Sequence, residues 1–274
     1  MKDTIRQGIG MRLRALVGSG TQDLSRAADD HGLFGPDPVA ARVHGDFPAM
    51  MVGGIASLLL QMLHPSALAG VWDHSDFRRD RYGRLRRTAQ FIAVTTFGAT
   101  ARAEAQIARV RRIHDHVAGV LPDGTPYAAT DPALLRFVHV AETWSFLAAH
   151  RRYVTPRMPV AEQDRYCAET AVVAEGLGAM QVPHSRAELD ACLREARPAL
   201  RHDARTASVA RALLARDTSA LAPMQAILIE GAIDLLPPWA AAMHGFDRPA
   251  LTKPIVRAGV ERLGRVLRWA LNPT

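Results

Sequence analysis

Alternating polar and apolar runs with β-branched enrichment are almost missing from these 274 residues, while alanine, leucine and arginine dominate. A β-sandwich or a parallel-sheet fold is therefore excluded, and an all-α fold is the economical expectation. Cysteine is nearly missing too: Cys167 and Cys192 stand 25 residues apart without a CxxC pair, which excludes a cysteine zinc site and a disulfide scaffold. That usage suits a reducing cytoplasm, the expected location. The first twenty residues, MKDTIRQGIGMRLRALVGSG, scatter their charges and hold no continuous apolar core of signal-peptide length. No transmembrane segment is expected either. The run from Phe47 to Leu63 is apolar but stops at His64 and Pro65, short of the roughly 20 residues a spanning helix needs, and reads as a buried core helix.

Charge of one sign is not scarce. Thirty-four basic residues against 27 acidic ones give a formal net charge of +7, which permits nucleic acid, anionic lipid or an acidic ligand as partner. The basic residues crowd at Arg78, Arg79, Arg81, Arg84, Arg86 and Arg87. Only Tyr82 stands among them and no familiar nucleic-acid motif surrounds them, so nucleic acid is not the expected partner and a solvated arginine face with one or two residues turned inward is. A hydrophobic content of 48% is ordinary for a packed core.

Periodicity and punctuation place helices at Thr4–Val17, Pro48–His64, Arg84–Phe97, Ala99–Ala118, Ala133–Tyr153, Ala161–Leu177 and Arg186–Glu195, with several more through Arg268. That makes about ten helices. LPDGTPY at 121–127 and VTPRMP at 154–159 are joints, and Asp131 before Pro132 is an N-cap with a first-turn proline. Nothing resembling a long linker divides the chain, so residues 1–274 are read as a single domain.

Two neighbouring helices carry the residues of interest. Arg84, Arg87 and Thr88 share one helical face, and the next helix has a stripe of Ile107, Val110, His114 and Val117 that turns His114 inward. His116 falls on the polar side with Arg109 and Arg112, so the two histidines do not chelate one ion together. A lone inward imidazole has two readings, a hydrogen-bonded core histidine or the single proximal ligand of a heme iron.

Four motifs in order, LLQMLHPSALAGVWDHSDF, RLRRT, VRRIHDHVAG and PDGTPYAATDPALLRFVH, resemble the oxygenase family that holds the latex clearing type of rubber oxygenase and the fungal MpaB oxygenase. The resemblance is strong over residues 44–153 and looser down to LLPPWA at 235–240. It implies an all-helical domain enclosing heme b, an oxygenase using dioxygen on a small or apolar organic substrate, with oxidative cleavage of an alkene in characterised relatives. His114 would be the iron ligand; Arg84 and Thr88 would be the distal pair. Arg87 stands where rubber oxygenase has a lysine that can cap the iron, and a guanidinium is a poor ligand. Arg78, Arg79, Arg86, Arg111 and Arg112 are candidates to pair with heme propionates.

A second departure concerns acid and base chemistry. Rubber oxygenase carries a pocket glutamate upstream of its distal arginine, whereas no carboxylate occurs here between Ile55 and Trp72. That absence leaves an alternative open, a heme-binding or ligand-binding helical protein without turnover. His64, just before Pro65, is open to three roles: capping carbonyls, bonding a propionate or lining the pocket. His139 reads as a satisfied buried histidine or as a partner that orients the site, and His74 and Ser75 as loop-fixing residues.

Overall fold

The computed structural model describes residues 24–75, 80–215, 221–246 and 249–271, with the side chains of Arg81 and Tyr82 outside the description. The expected first helix, Thr4–Val17, and Arg78 and Arg79 lie outside the described residues. Twelve α-helices occur among those described. They are α1 (Val39–Gly45), α2 (Phe47–Gln61), α3 (Pro65–His74), α4 (Arg81–Phe97), α5 (Thr100–His114), α6 (Pro132–Tyr153), α7 (Val160–Leu177), α8 (Arg186–Ala196), α9 (Ala204–Leu214), α10 (Ala222–Leu235), α11 (Pro238–Met243) and α12 (Lys253–Leu271). The fold is all-α, as the sequence indicates.

One local departure matters for the site. The helix expected to run to Ala118 ends at His114, and Ala118–Val120 pairs antiparallel with Pro126–Ala128 as β1 and β2. The PDG turn between them explains it: Gly124 sits at φ 87°, and Leu121 and Thr125 close the loop by a backbone bond of 2.8 Å. The hairpin then docks on α3, where His74 Nε2 meets the carbonyl of Ala118 at 3.1 Å and the Tyr127 hydroxyl donates to Asp73 at 2.7 Å. Ser75 donates to the Val71 carbonyl. His74 and Ser75 thus fix structure, as expected from sequence.

At the centre α2 lies against α6. Asp46 caps α2 by accepting from the Ala49 amide at 3.0 Å, and Asp131 caps α6 by accepting from Ala133 at 2.8 Å, each followed by a first-turn proline. α2 is apolar nearly all round and α6 is buried over most of its length, with Val52, Ala56, Leu59 and Leu60 of α2 and Val140, Ala141 and Leu147 of α6 buried. No single described helix is long and apolar enough to cross a membrane; α1 and α2 would pass together only as a pair bent by 89°. Gly53 allows the close approach, since a Cβ there would meet Phe146 Cδ1 at 2.8 Å and the Ser145 carbonyl at 3.0 Å.

Several polar groups in this core are paired across helices. His44 of α1 spans Thr96 Oγ1 of α4 (2.8 Å) and the Tyr166 hydroxyl of α7 (2.9 Å). Asp234 of α10 receives Arg152 at 3.0 Å and Arg257 at 2.8 Å, and Arg268 of α12 reaches Asp46 and the Tyr153 carbonyl. The last helix is held to the first turn of α2 by that arginine.

Two outcomes follow. Gly53→Ala should lower stability by about 1–3 kcal/mol through overpacking, more than the roughly 1 kcal/mol that alanine gains over glycine in a helix; urea denaturation checks this, and an unchanged midpoint would show that α6 yields. Burial holds His44 down at about 3 from an ordinary 6.5. A depressed folded value means its contribution is complete above pH 6.5 and lost as pH falls toward 3, at up to about 1.4 kcal/mol per pH unit. Melting temperature against pH should therefore fall less steeply for His44→Gln than for the native chain over that range, and parallel curves would refute it.

Candidate active site

Helices α2, α3, α4 and α9 enclose a cavity with about 460 Å³ of empty space counting its open mouth. Its wall is apolar, formed by Leu58, Met62, Leu68, Val71, Leu85, Val209 and Leu213 among others. Two polar side chains break that wall, Gln61 at the end of α2 and Arg84 in the first turns of α4. Asp80 caps α4 by accepting from the Gly83 amide at 2.7 Å, which fixes where Arg84 leaves the helix.

Arg84 is the cation of this cavity. It is half-buried and has no ion-pair partner among the described residues; burial lowers its hold on the proton, Arg87 adds to that, and Glu142 opposes it. A guanidinium remains charged under such shifts. Thr88, one turn on, is half-buried and donates back to the Arg84 carbonyl at 3.3 Å, leaving its oxygen lone pairs to accept. Arg87 is exposed and stands 4.0 Å from Asp80, so it does not line the cavity. The spacing put all three residues on one face, but the capping carboxylate draws Arg87 to its edge.

The histidines occupy distinct places. His114 closes α5 as its last residue, half-buried, with Nδ1 enclosed and without a hydrogen-bond partner. Burial pushes its proton affinity below the ordinary histidine value, with Asp115 opposing, so the ring is neutral near pH 7. His116, by contrast, is exposed and bonds the Arg112 carbonyl at 2.8 Å. His64 is the N-cap residue of α3 but makes no side-chain cap bond; its ring lies 4.9 Å from that of Phe137, its Nδ1 is also buried without a partner, and burial depresses it too. His139 is buried in α6, pushed down to about 4 chiefly by desolvation, with Thr143 Oγ1 at 3.4 Å. None of these three lines the cavity; only Arg84 of the expected residues does. Arg86, Arg111 and Arg112 are exposed.

Glu142 escaped the sequence reading. It lies on α6, where Gln61 and Arg84 act on its carboxyl electrostatically; the Gln61 amide itself donates to Ser57 Oγ at 2.8 Å. Desolvation pushes the Glu142 carboxyl up to about 7, with Gln61 and the Arg84 charge pulling the other way. The residue as a whole keeps some exposure, yet the dense shell around its carboxyl is what governs the charge. A signal was present: Glu142 is the one carboxylate within the 22 residues of α6, flanked by Ala141 and Thr143.

These residues suit a macrocycle-held iron in their chemistry. Among the described residues no three of His, Cys, Asp and Glu converge as a metal-binding group, whereas a porphyrin iron asks the protein for one axial ligand. A neutral imidazole with no hydrogen-bond commitment, as at His114, is the ligating form.

No curated protein and no solved structure matches the chain. The profile described as "ER-bound oxygenase mpaB/B'/Rubber oxygenase, catalytic domain" matches residues 41–269, which takes in every described helix but the first two residues of α1 and the last two of α12. The four helices around the cavity, the arginine in its wall and the half-buried histidine closing α5 therefore sit inside an oxygenase-type catalytic domain, and the chain belongs to the mpaB and rubber oxygenase family.

Proposed function

We propose that this protein is a heme b-dependent oxygenase that uses dioxygen on an apolar, alkene-like organic substrate. The observation that carries the heme reading is His114, a neutral ring whose buried Nδ1 has no partner, at the position the family resemblance gives to the iron ligand. His114 would hold the iron. When bound, heme would supply the oxygen chemistry that no protein side chain can provide alone.

The chain's own residues would prepare the surroundings. Arg84 offers N–H donors and a fixed charge inside an apolar wall, where low polarity strengthens their pull on negative charge developing on oxygen. Thr88 would accept or relay a hydrogen bond from the same face of α4. Leu58, Met62, Leu68, Val71, Val209 and Leu213 exclude water and favour an apolar substrate over a polar one. His64 and His139 belong to this proposal as residues near the cofactor, His64 through its unpartnered Nδ1 and His139 as a buried support on α6. Both cysteines are free, Cys167 buried and Cys192 half-buried, in keeping with a cytoplasmic location.

The first test is the visible spectrum of protein expressed with a heme precursor, recorded before and after dithionite. A Soret band that moves on reduction is expected, and His114→Ala should abolish or displace it while far-ultraviolet circular dichroism stays native. A Soret band identical in His114→Ala would remove His114 as the ligand, and a colourless protein that hemin cannot reconstitute would remove the heme reading altogether. Arg84→Gln should keep the band and slow oxygen-dependent turnover by about 100- to 1,000-fold, the usual cost of removing an oxyanion donor; unchanged turnover would mean that Arg84 only lines the wall.

A further inference from the structure

The last helix leaves large apolar side chains in water. Leu251, in the 3-10 turn Ala250–Thr252 just before α12, is 86% exposed, and on α12 itself Ile255 is 74% and Val266 49% exposed. A different face holds α12 to the core. That inner face buries Val260, Gly264, Leu267 and Ala270, while Arg257 reaches Asp234 and Arg268 reaches Asp46. Spacings of seven and four residues put Ile255, Arg262 and Val266 together on the outward face, with Arg265 beside it and Leu251 one turn ahead of Ile255.

The charge on that side is positive. Lys253, Arg257, Arg262, Arg265 and Arg268 stand against Glu261 as the one acid of the helix, and Arg257 and Arg268 are taken up by the core aspartates. Arg262 and Arg265 are exposed and make no ion pair among the described residues.

The chemistry of the face decides what can cover it. A nucleic acid would engage the arginines but leave Ile255 and Val266 with nothing apolar to meet. A protein groove shaped to those two side chains would have to bury Arg262, which stands between them, at the desolvation cost of a charge. A second copy of α12 laid parallel would set Arg262 against Arg262. A phospholipid surface accommodates both kinds of group, because aliphatic side chains enter the boundary between headgroups and acyl chains while guanidinium groups reach back to the phosphates.

We propose that α12 and the turn before it form a peripheral docking surface for a bilayer that contains anionic phospholipid. Leu251, Ile255 and Val266 enter the apolar boundary, and Lys253, Arg262 and Arg265 meet the phosphates. The helix lies along the bilayer and does not cross it, as its five cations and its buried inner face require. No α12 residue lines the cavity, so this surface does not rest on the oxygenase reading.

The experiment is co-sedimentation of the purified protein with vesicles of phosphatidylcholine alone or with about 30% phosphatidylserine, at about 0.1 M salt. Binding to the mixed vesicles should be at least about tenfold tighter than to phosphatidylcholine alone. Arg262→Gln with Arg265→Gln should weaken it by roughly fivefold per arginine, and Ile255→Gln with Val266→Gln by about tenfold or more. All four positions are exposed and glutamine is a good helix former, so far-ultraviolet circular dichroism should stay native. Arg109→Gln with Arg211→Gln removes the same charge from exposed positions on α5 and α9 and should cost at most about twofold. Native protein that stays in solution with both kinds of vesicle overturns the proposal. So does vesicle binding that the α12 variants leave unchanged, which would assign it to other residues. A dimer that forms without lipid and that Ile255→Gln with Val266→Gln dissolves would overturn it too, by giving the face to a second copy of the chain.

Discussion

The close contact of α2 with α6 is the constraint on which the rest of the molecule depends. With Gly53 pressed on Phe146 and Gln61 beside Glu142, the two helices run in opposite directions at a spacing that a methyl group at residue 53 would disturb. Everything else is arranged on that pair. Asp46, at the head of α2, both caps its own helix and receives Arg268 from α12, so the end of the chain closes on the start of the central helix. At the other end of α2, the turn through Met62 and His64 starts α3, and the cavity opens there, where α2 has run out and α3, α4 and α9 have to cover the gap. The cavity thus lies against the last turn of α2, with Leu58 and Gln61 in its wall.

Buried polar groups are not satisfied uniformly. His44 is held on both sides, by Thr96 and Tyr166, and Asp234 lies under two arginines although its Oδ1 has no partner. Buried atoms without a partner are spread through the fold: Ser145 Oγ, His150 Nδ1 and the Tyr153 hydroxyl as well as the Nδ1 of His64 and of His114. Such groups cost stability, and those that a ligand could complete are candidates for function.

Much of the fold was legible because its signals are local. The Asp131–Pro132 cap, the apolar run ending at His64–Pro65 and the punctuation at 121–127 each correspond to a helix end or turn in the structure. Arg84 was legible as a wall residue from spacing and motif alike. What was not legible is tertiary. The 121–127 hairpin that follows the stop of α5 docks against α3, and neither His74 nor Tyr127 announces that contact in sequence. Arg87 shares a face with Arg84 on a helical wheel, but the Asp80 cap decides which of the two turns outward. Glu142 lies 58 positions after Arg84, and a search for a carboxylate upstream of the arginine could not find one delivered by another helix.

Arg87 and Arg84 can be understood together. The family resemblance places at residue 87 a group that in rubber oxygenase is a lysine, whose amine gains or loses its proton in response to burial. An arginine there stays charged, and in this chain it faces solvent beside Asp80. Its neighbour Arg84 is equally unable to change charge at any working pH. A cavity walled by leucines, methionine and one permanent cation has no way of its own to exchange a proton with what it binds. Proton exchange with a bound molecule therefore has to come from a group outside that wall.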